Sequence, residues 1–161
     1  MIDLILPYLK TFMISMIPFL ESRFSIPIGH LSYGLSITQA ALISSLGGVM
    51  VAAFGTLLFS KIVSFAEKRI PFLHRILQKL IRKTHDTHFK KFRVMGEVVL
   101  VFFIAAPLPG TGVYTAVIVS YLLGLRFWNS FTILSLGVML QCAVVGFILK
   151  TGVNFWDLLF V

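Results

Sequence analysis

Pro18-Phe19-Leu20-Glu21-Ser22-Arg23-Phe24-Ser25-Ile26-Pro27-Ile28-Gly29 is the stretch on which the fold turns. Two prolines and a charge pair fall within ten residues, with apolar sequence on both sides. Proline removes a backbone donor and breaks a regular helix. Irregular backbone at membrane depth is tolerated where protein or a water-filled cavity surrounds it. A re-entrant helical hairpin over about residues 4–33, dipping into the bilayer and returning, meets both constraints.

The surrounding sequence gives the membrane reading. No Asp, Glu, Lys or Arg occurs from Phe24 to Ser60, from Val98 to Leu125, or from Phe127 to Leu149. A helix crossing the hydrocarbon needs about 20 mostly apolar residues. Residues 37–59 and 127–149 each supply a full span, the first with Ser44, Gly48, Ala52 and Thr56 as a small-residue face for close helix packing. Overall the chain is 58% apolar and 12% charged, against about 25% charged in average soluble domains.

A second turn, Pro107-Leu108-Pro109-Gly110-Thr111-Gly112, interrupts the apolar run 98–124 and predicts a second hairpin. A ninety-residue shift lays Gly34-Leu35 on Gly124-Leu125 and Ser45-Leu46-Gly47 on Ser135-Leu136-Gly137. Residues 1–60 and 96–150 then form two like units, each a hairpin followed by a span. If each hairpin re-enters from its own side, the units are inverted relative to one another, as in many transporters. The expected fold is an all-α integral membrane protein with an inverted repeat. A basic, amphipathic cytoplasmic helix joins the units, and 151–161 is an interfacial tail.

Ten of the fourteen Lys and Arg residues lie between Lys61 and Arg93, in the 61–95 connector. That clustering is the positive-inside signal and places the connector in the cytoplasm, beside anionic lipid headgroups. Within it, Leu73, Ile76, Leu77, Leu80 and Ile81 follow helical spacing, as in a surface helix. The charge therefore points to membrane lipids as partners and away from nucleic acid, for which no base-reading motif is present. A prokaryotic cytoplasmic membrane fits the pattern, and the N-terminus lacks the features of a cleaved signal.

Glu21 and Arg23 lead the candidate site, because ionisable groups in an apolar setting usually mark ion, proton or substrate pathways. Desolvation and a nearby cation act on a carboxyl in opposite senses, so Glu21 is suited to bind and release a proton. Arg23 offers a planar fork for phosphate or carboxylate. The alternative is that the two pair and pin the hairpin. Pro27, Pro107, Pro109, Gly110, Thr111 and Gly112 complete the site, the glycines allowing close backbone approach and helix-end amides receiving an anionic group. His30, Tyr114, Arg126 and Gln141 are secondary candidates; Tyr33 and Glu97 fit interfacial roles. His85 and His88 have no Cys or His cluster to complete a metal site, and Cys142 reads as a packing thiol. No cofactor is expected. Neither His-Glu-x-x-His nor Gly-x-Ser-x-Gly occurs, so a transporter is expected and an enzyme is not.

Glu21-x-Arg23-x-x-Ile26-Pro27-x-Gly29 followed by Pro107-Leu108-Pro109-Gly110-Thr111-Gly112 resembles the small multi-drug export protein family, more distantly the DedA superfamily. The resemblance implies two opposed re-entrant hairpins with Glu21 and Arg23 at the acidic and basic positions of the first. It also implies proton-coupled movement of a lipid-phosphate-like or amphiphilic substrate. The arginines that flank the second proline in the DedA pattern are absent here. Multidrug efflux and a noncatalytic membrane scaffold are the alternatives, and a homodimer is expected because four membrane elements enclose little space.

Overall fold

The computed structural model of the chain describes residues 2–69, 89–107 and 111–151. They form six helices, with no strand among the described residues: α1 (Ile2–Ser15), α2 (Glu21–Leu31), α3 (Ile37–Arg69), α4 (Phe89–Ala105), α5 (Val113–Leu122) and α6 (Phe127–Lys150). The expected surface helix at Pro71–Lys83, the histidines 85 and 88, residues 108–110 and the tail beyond Thr151 lie outside the described residues.

Two helices carry apolar segments long enough to cross a membrane, Ile37–Phe59 in α3 and Phe127–Lys150 in α6. At 1.5 Å per residue these run about 35 Å, whereas α2 and α5, with 11 and 10 residues, run about 15–16 Å. α3 and α4 both reach into the basic connector: α3 continues past Phe59 to Arg69, and α4 starts at Phe89, not near Val98. Lys, Arg and Glu are good helix formers, so loss of hydropathy does not end a helix.

The turn between α1 and α2 follows from its sequence. α1 ends at Ser15, Pro18 lies in the turn that follows, and the chain reverses through Phe19 at φ 72° and Glu21 at φ 42°. Left-handed backbone in non-glycine residues costs about 1–2 kcal/mol each, and such strain is often kept at functional sites. Further on, Gly34 (φ 68°) and Gly124 (φ 64°) take the same left-handed turn after α2 and α5, ninety residues apart. α3 and α6 begin ninety residues apart, at Ile37 and Phe127, and α1 and α4 end ninety apart, at Ser15 and Ala105.

Close approaches at small residues fix how the helices run. Gly29 lies against Thr11, which makes α1 and α2 an antiparallel pair. Ser25 on α2 donates to Ser44 on α3 at 2.6 Å, and Gly29 meets Ala40, so α2 and α3 are antiparallel as well. Gly48 packs on Val138 and Gly146 on Ile37, so α3 and α6 run antiparallel and cross near their centres. Gly55 meets Val117, and the Phe59 and Tyr121 rings pack edge to face at 5.4 Å, which sets α5 parallel to α3. Gly137 receives Ile104 at the end of α4. With 25 opposite 44 and 29 opposite 40, the start of α2 lies level with the middle of the Ile37–Phe59 segment. The end of α4 lies level with the middle of α6. Both hairpin turns therefore reach the centre of the bundle.

Ile26, Ile104, Leu134 and Val145 are completely buried at its core. The outer surface is apolar: Leu42, Leu46, Met50, Phe54 and Leu57 are exposed along α3, and Phe102, Met139 and Phe147 on α4 and α6. Large contiguous apolar surfaces mark contact with lipid or another apolar partner. The chain is an integral membrane protein.

Candidate functional site

The two turns meet one another. Glu21, the first residue of α2, is 6% exposed, and Arg23 is 4% exposed. The Glu21 carboxylate lies against Gly112, within hydrogen-bonding reach of the backbone N–H groups of Val113 and Tyr114 at the start of α5. The first amides of a helix have no partner within it, and the helix dipole favours negative charge there. A Cβ at position 112 would overlap both carboxylate oxygens, so glycine is what lets the two hairpins close. Glu21 Oε2 is buried with no hydrogen-bond partner among the described residues.

Arg23 reaches the same turn by a different route. Its Nη2 donates to Thr111 Oγ1 at 3.1 Å, and the Thr111 hydroxyl donates to the Ala106 carbonyl at 2.7 Å. Glu21 and Arg23 are also in Coulombic contact. Each makes its bonds to the second hairpin, so their closeness is part of a larger clasp. Tyr114 adds a third tie, its hydroxyl donating to the Met16 carbonyl in the first turn.

A fourth tie comes from α6. Ser22 Oγ donates to Gln141 Oε1 at 2.7 Å, and Cys142 is within hydrogen-bonding reach of Ser22. Gln141 is 1% exposed, and its Nε2 has no partner among the described residues.

Among the candidates read from sequence, Glu21, Arg23, Thr111, Gly112, Tyr114 and Gln141 come together here. Pro27 is buried inside α2, and half-buried Pro107 follows α4 beside Ala106. Pro109 and Gly110 lie outside the described residues. His30 and Arg126 lie elsewhere. His30 is nine residues along α2 from Glu21, about 14 Å, and its Nδ1 bonds the Leu35 carbonyl at 2.7 Å to fasten the turn into α3. Arg126 is exposed at the N-terminal edge of α6, fifteen residues from Gln141 and about 22 Å along the helix. Lys10 lies over the Tyr33 ring, 5.4 Å from its centre.

Ser22, Ser25 and Ser44 were not legible as site residues. A serine in an apolar run carries no spacing signal of its own, although small hydroxyls at helix contacts are a common way to join membrane helices. A separate pocket lined by Thr56, Phe59, Ser120, Tyr121 and Phe127 contains none of the candidates. No group of three or more His, Cys, Asp or Glu side chains able to hold a metal occurs among the described residues.

Compared with known families, residues 21–144 match the model described as "Putative small multi-drug export protein". The chain belongs to that family. The match begins at Glu21 and takes in α2, the second turn and the crossing of α3 with α6, so it covers Glu21, Arg23, Thr111, Gly112, Tyr114 and Gln141. No curated protein and no solved structure matches the chain.

Proposed function

We propose that this small multi-drug export family member is a proton- or ion-coupled secondary transporter for an amphiphilic substrate. Its site lies where the two hairpin turns meet. The observation that carries the reading is the burial of Glu21 and Arg23 at the centre of an all-helical membrane bundle, each bonded to the opposite hairpin. An ionisable pair in that position is costly, and apolar side chains would fill the space at lower cost.

The contact register supports re-entry. Each hairpin turn is level with the middle of the long helices, and each pair of short helices is too short to cross twice. The first hairpin then opens toward the end of the bundle that holds Ile37 and Lys150. The second opens toward the end that holds Phe59 and Phe127. Antiparallel α3 and α6, with boundaries ninety residues apart, support an inverted repeat. The basic residues that follow Phe59 support a cytoplasmic location for that end.

In this cycle Glu21 takes a proton or ion, its hold on α5 weakens, and the hairpins part to expose the site on one side. Cargo then displaces that proton or ion and sits between Glu21 and the second turn before the clasp reforms. The test is flux of fluorescent amphiphiles in proteoliposomes with and without an imposed pH gradient. Gradient-dependent flux in the wild type that disappears in Glu21→Gln is expected. Equal flux in both proteins removes the coupling.

A further inference from the structure

The site is not neutral in what it leaves uncommitted. Arg23 gives its Nη2 to Thr111, which in turn donates to the Ala106 carbonyl. For Nη2 to receive an anion, that chain of bonds has to be undone. Glu21 differs: one oxygen faces the α5 amides, and Oε2 is buried with no donor among the described residues. Buried carboxylate oxygens ordinarily have partners, so an empty one marks where a proton or an N–H donor belongs. Tyr114 lies close enough to interact electrostatically with the carboxylate. Among the described residues, the charged and titratable groups that face Glu21 are Arg23 on its own helix and Tyr114 on α5. α6 presents Gln141 and Cys142 to the neighbouring Ser22.

We propose, resting on the transporter reading, that the cargo is a cationic amphiphile bearing an N–H donor. Its ammonium takes the Glu21 carboxylate from the N-terminus of α5 when the hairpins part. Arg23 parts from Thr111 at the same step, returns to it when the clasp reforms, and does not hold the cargo. The uncommitted Gln141 Nε2 donates to a neutral oxygen of the ligand or to water. Proton and cargo then compete for one carboxylate, which makes exchange of the two obligatory.

Binding of hexylammonium and of hexyl phosphate to the full-length protein in nanodiscs, measured across a range of pH, tests this. Hexylammonium should bind more tightly than hexyl phosphate. Its affinity should fall about tenfold per pH unit once Glu21 is protonated, a free-energy change of about 1.4 kcal/mol. Glu21→Gln should lose at least about tenfold in affinity, roughly 1.4 kcal/mol, and lose the pH dependence. Glu21→Asp, which keeps the carboxylate, should retain that dependence and so separates loss of charge from loss of fold. Hexyl phosphate binding that exceeds that of hexylammonium and disappears in Arg23→Gln overturns the proposal. So does unchanged hexylammonium binding in Glu21→Gln, or failure of hexylammonium to bind the wild type. Gradient-driven flux that depends on Glu21 while phosphate is the preferred ligand would keep the transporter and reject the cationic cargo.

Discussion

At position 112 the backbone is extended, φ −83° and ψ 176°, a conformation open to any residue. The requirement for glycine there comes from the Glu21 carboxylate pressed against its Cα. Gly112→Ala should therefore destabilise the protein by about 1–3 kcal/mol, the usual range for an overpacked contact. Thermal unfolding in detergent measures the loss. Shortening the acid in Glu21→Asp, Gly112→Ala should recover part of it, and strictly additive losses would mean that the two residues do not touch. The sequence announced Glu21, Arg23 and the PLPGTG turn because charge and proline are conspicuous in apolar surroundings. It did not announce Ser22, whose partner Gln141 is set by helix register. His30 and Arg126 drew notice by chemistry alone, and distance along their helices keeps both from the clasp.

Helices in this bundle are set by small residues at two kinds of place. Gly34 and Gly124 have open space where a Cβ would go, so alanine at either is opposed by left-handed backbone alone. Each substitution should cost about 1–2 kcal/mol, and the two losses should agree because the φ values do. Melting temperatures compared in one detergent decide it. Gly48 is of the other kind: a Cβ there would come within 2.6 Å of Val138 Cγ1, so Gly48→Ala should force α3 from α6. Val138→Ala should relieve that strain, giving a coupling of about 0.5–3 kcal/mol in a double-mutant cycle. No coupling would place the α3–α6 crossing elsewhere. The spans were legible as uncharged runs, and the glycine turns as a repeat. The helical extensions of α3 and α4 were hidden, because hydropathy reports the solvent of a segment and says little about its backbone.

Across the whole molecule, the antiparallel packing of α3 and α6 makes a statement about sidedness. Lys61 and Arg126 are exposed at one end of the bundle and Lys150 at the other. In a Cys142→Ser background, single cysteines at 61 and 126 should react with an impermeant thiol reagent from one face of the membrane. A cysteine at 150 should react from the opposite face. Labelling of 61 and 150 from the same face would end the inverted arrangement. Orientation of the halves is beyond what hydropathy alone resolves, because a run of apolar residues reads the same in either direction.

The bonds that close the clasp join residues 88, 98 and 119 positions apart in the chain. Synthesis proceeds at roughly 5–20 residues per second, so the first hairpin precedes its partners by several seconds. During that interval Glu21 and Arg23 have none of the Thr111, Tyr114 or Gln141 contacts that later accommodate them. The nascent first half must wait in the insertion machinery, or at its edge, with an acid and a base exposed to lipid. Biogenesis rather than finished stability thus becomes the stage at which this site is most vulnerable. A ribosome that stalls between the two turns leaves a fragment whose Glu21 and Arg23 have only each other, a natural target for membrane quality control.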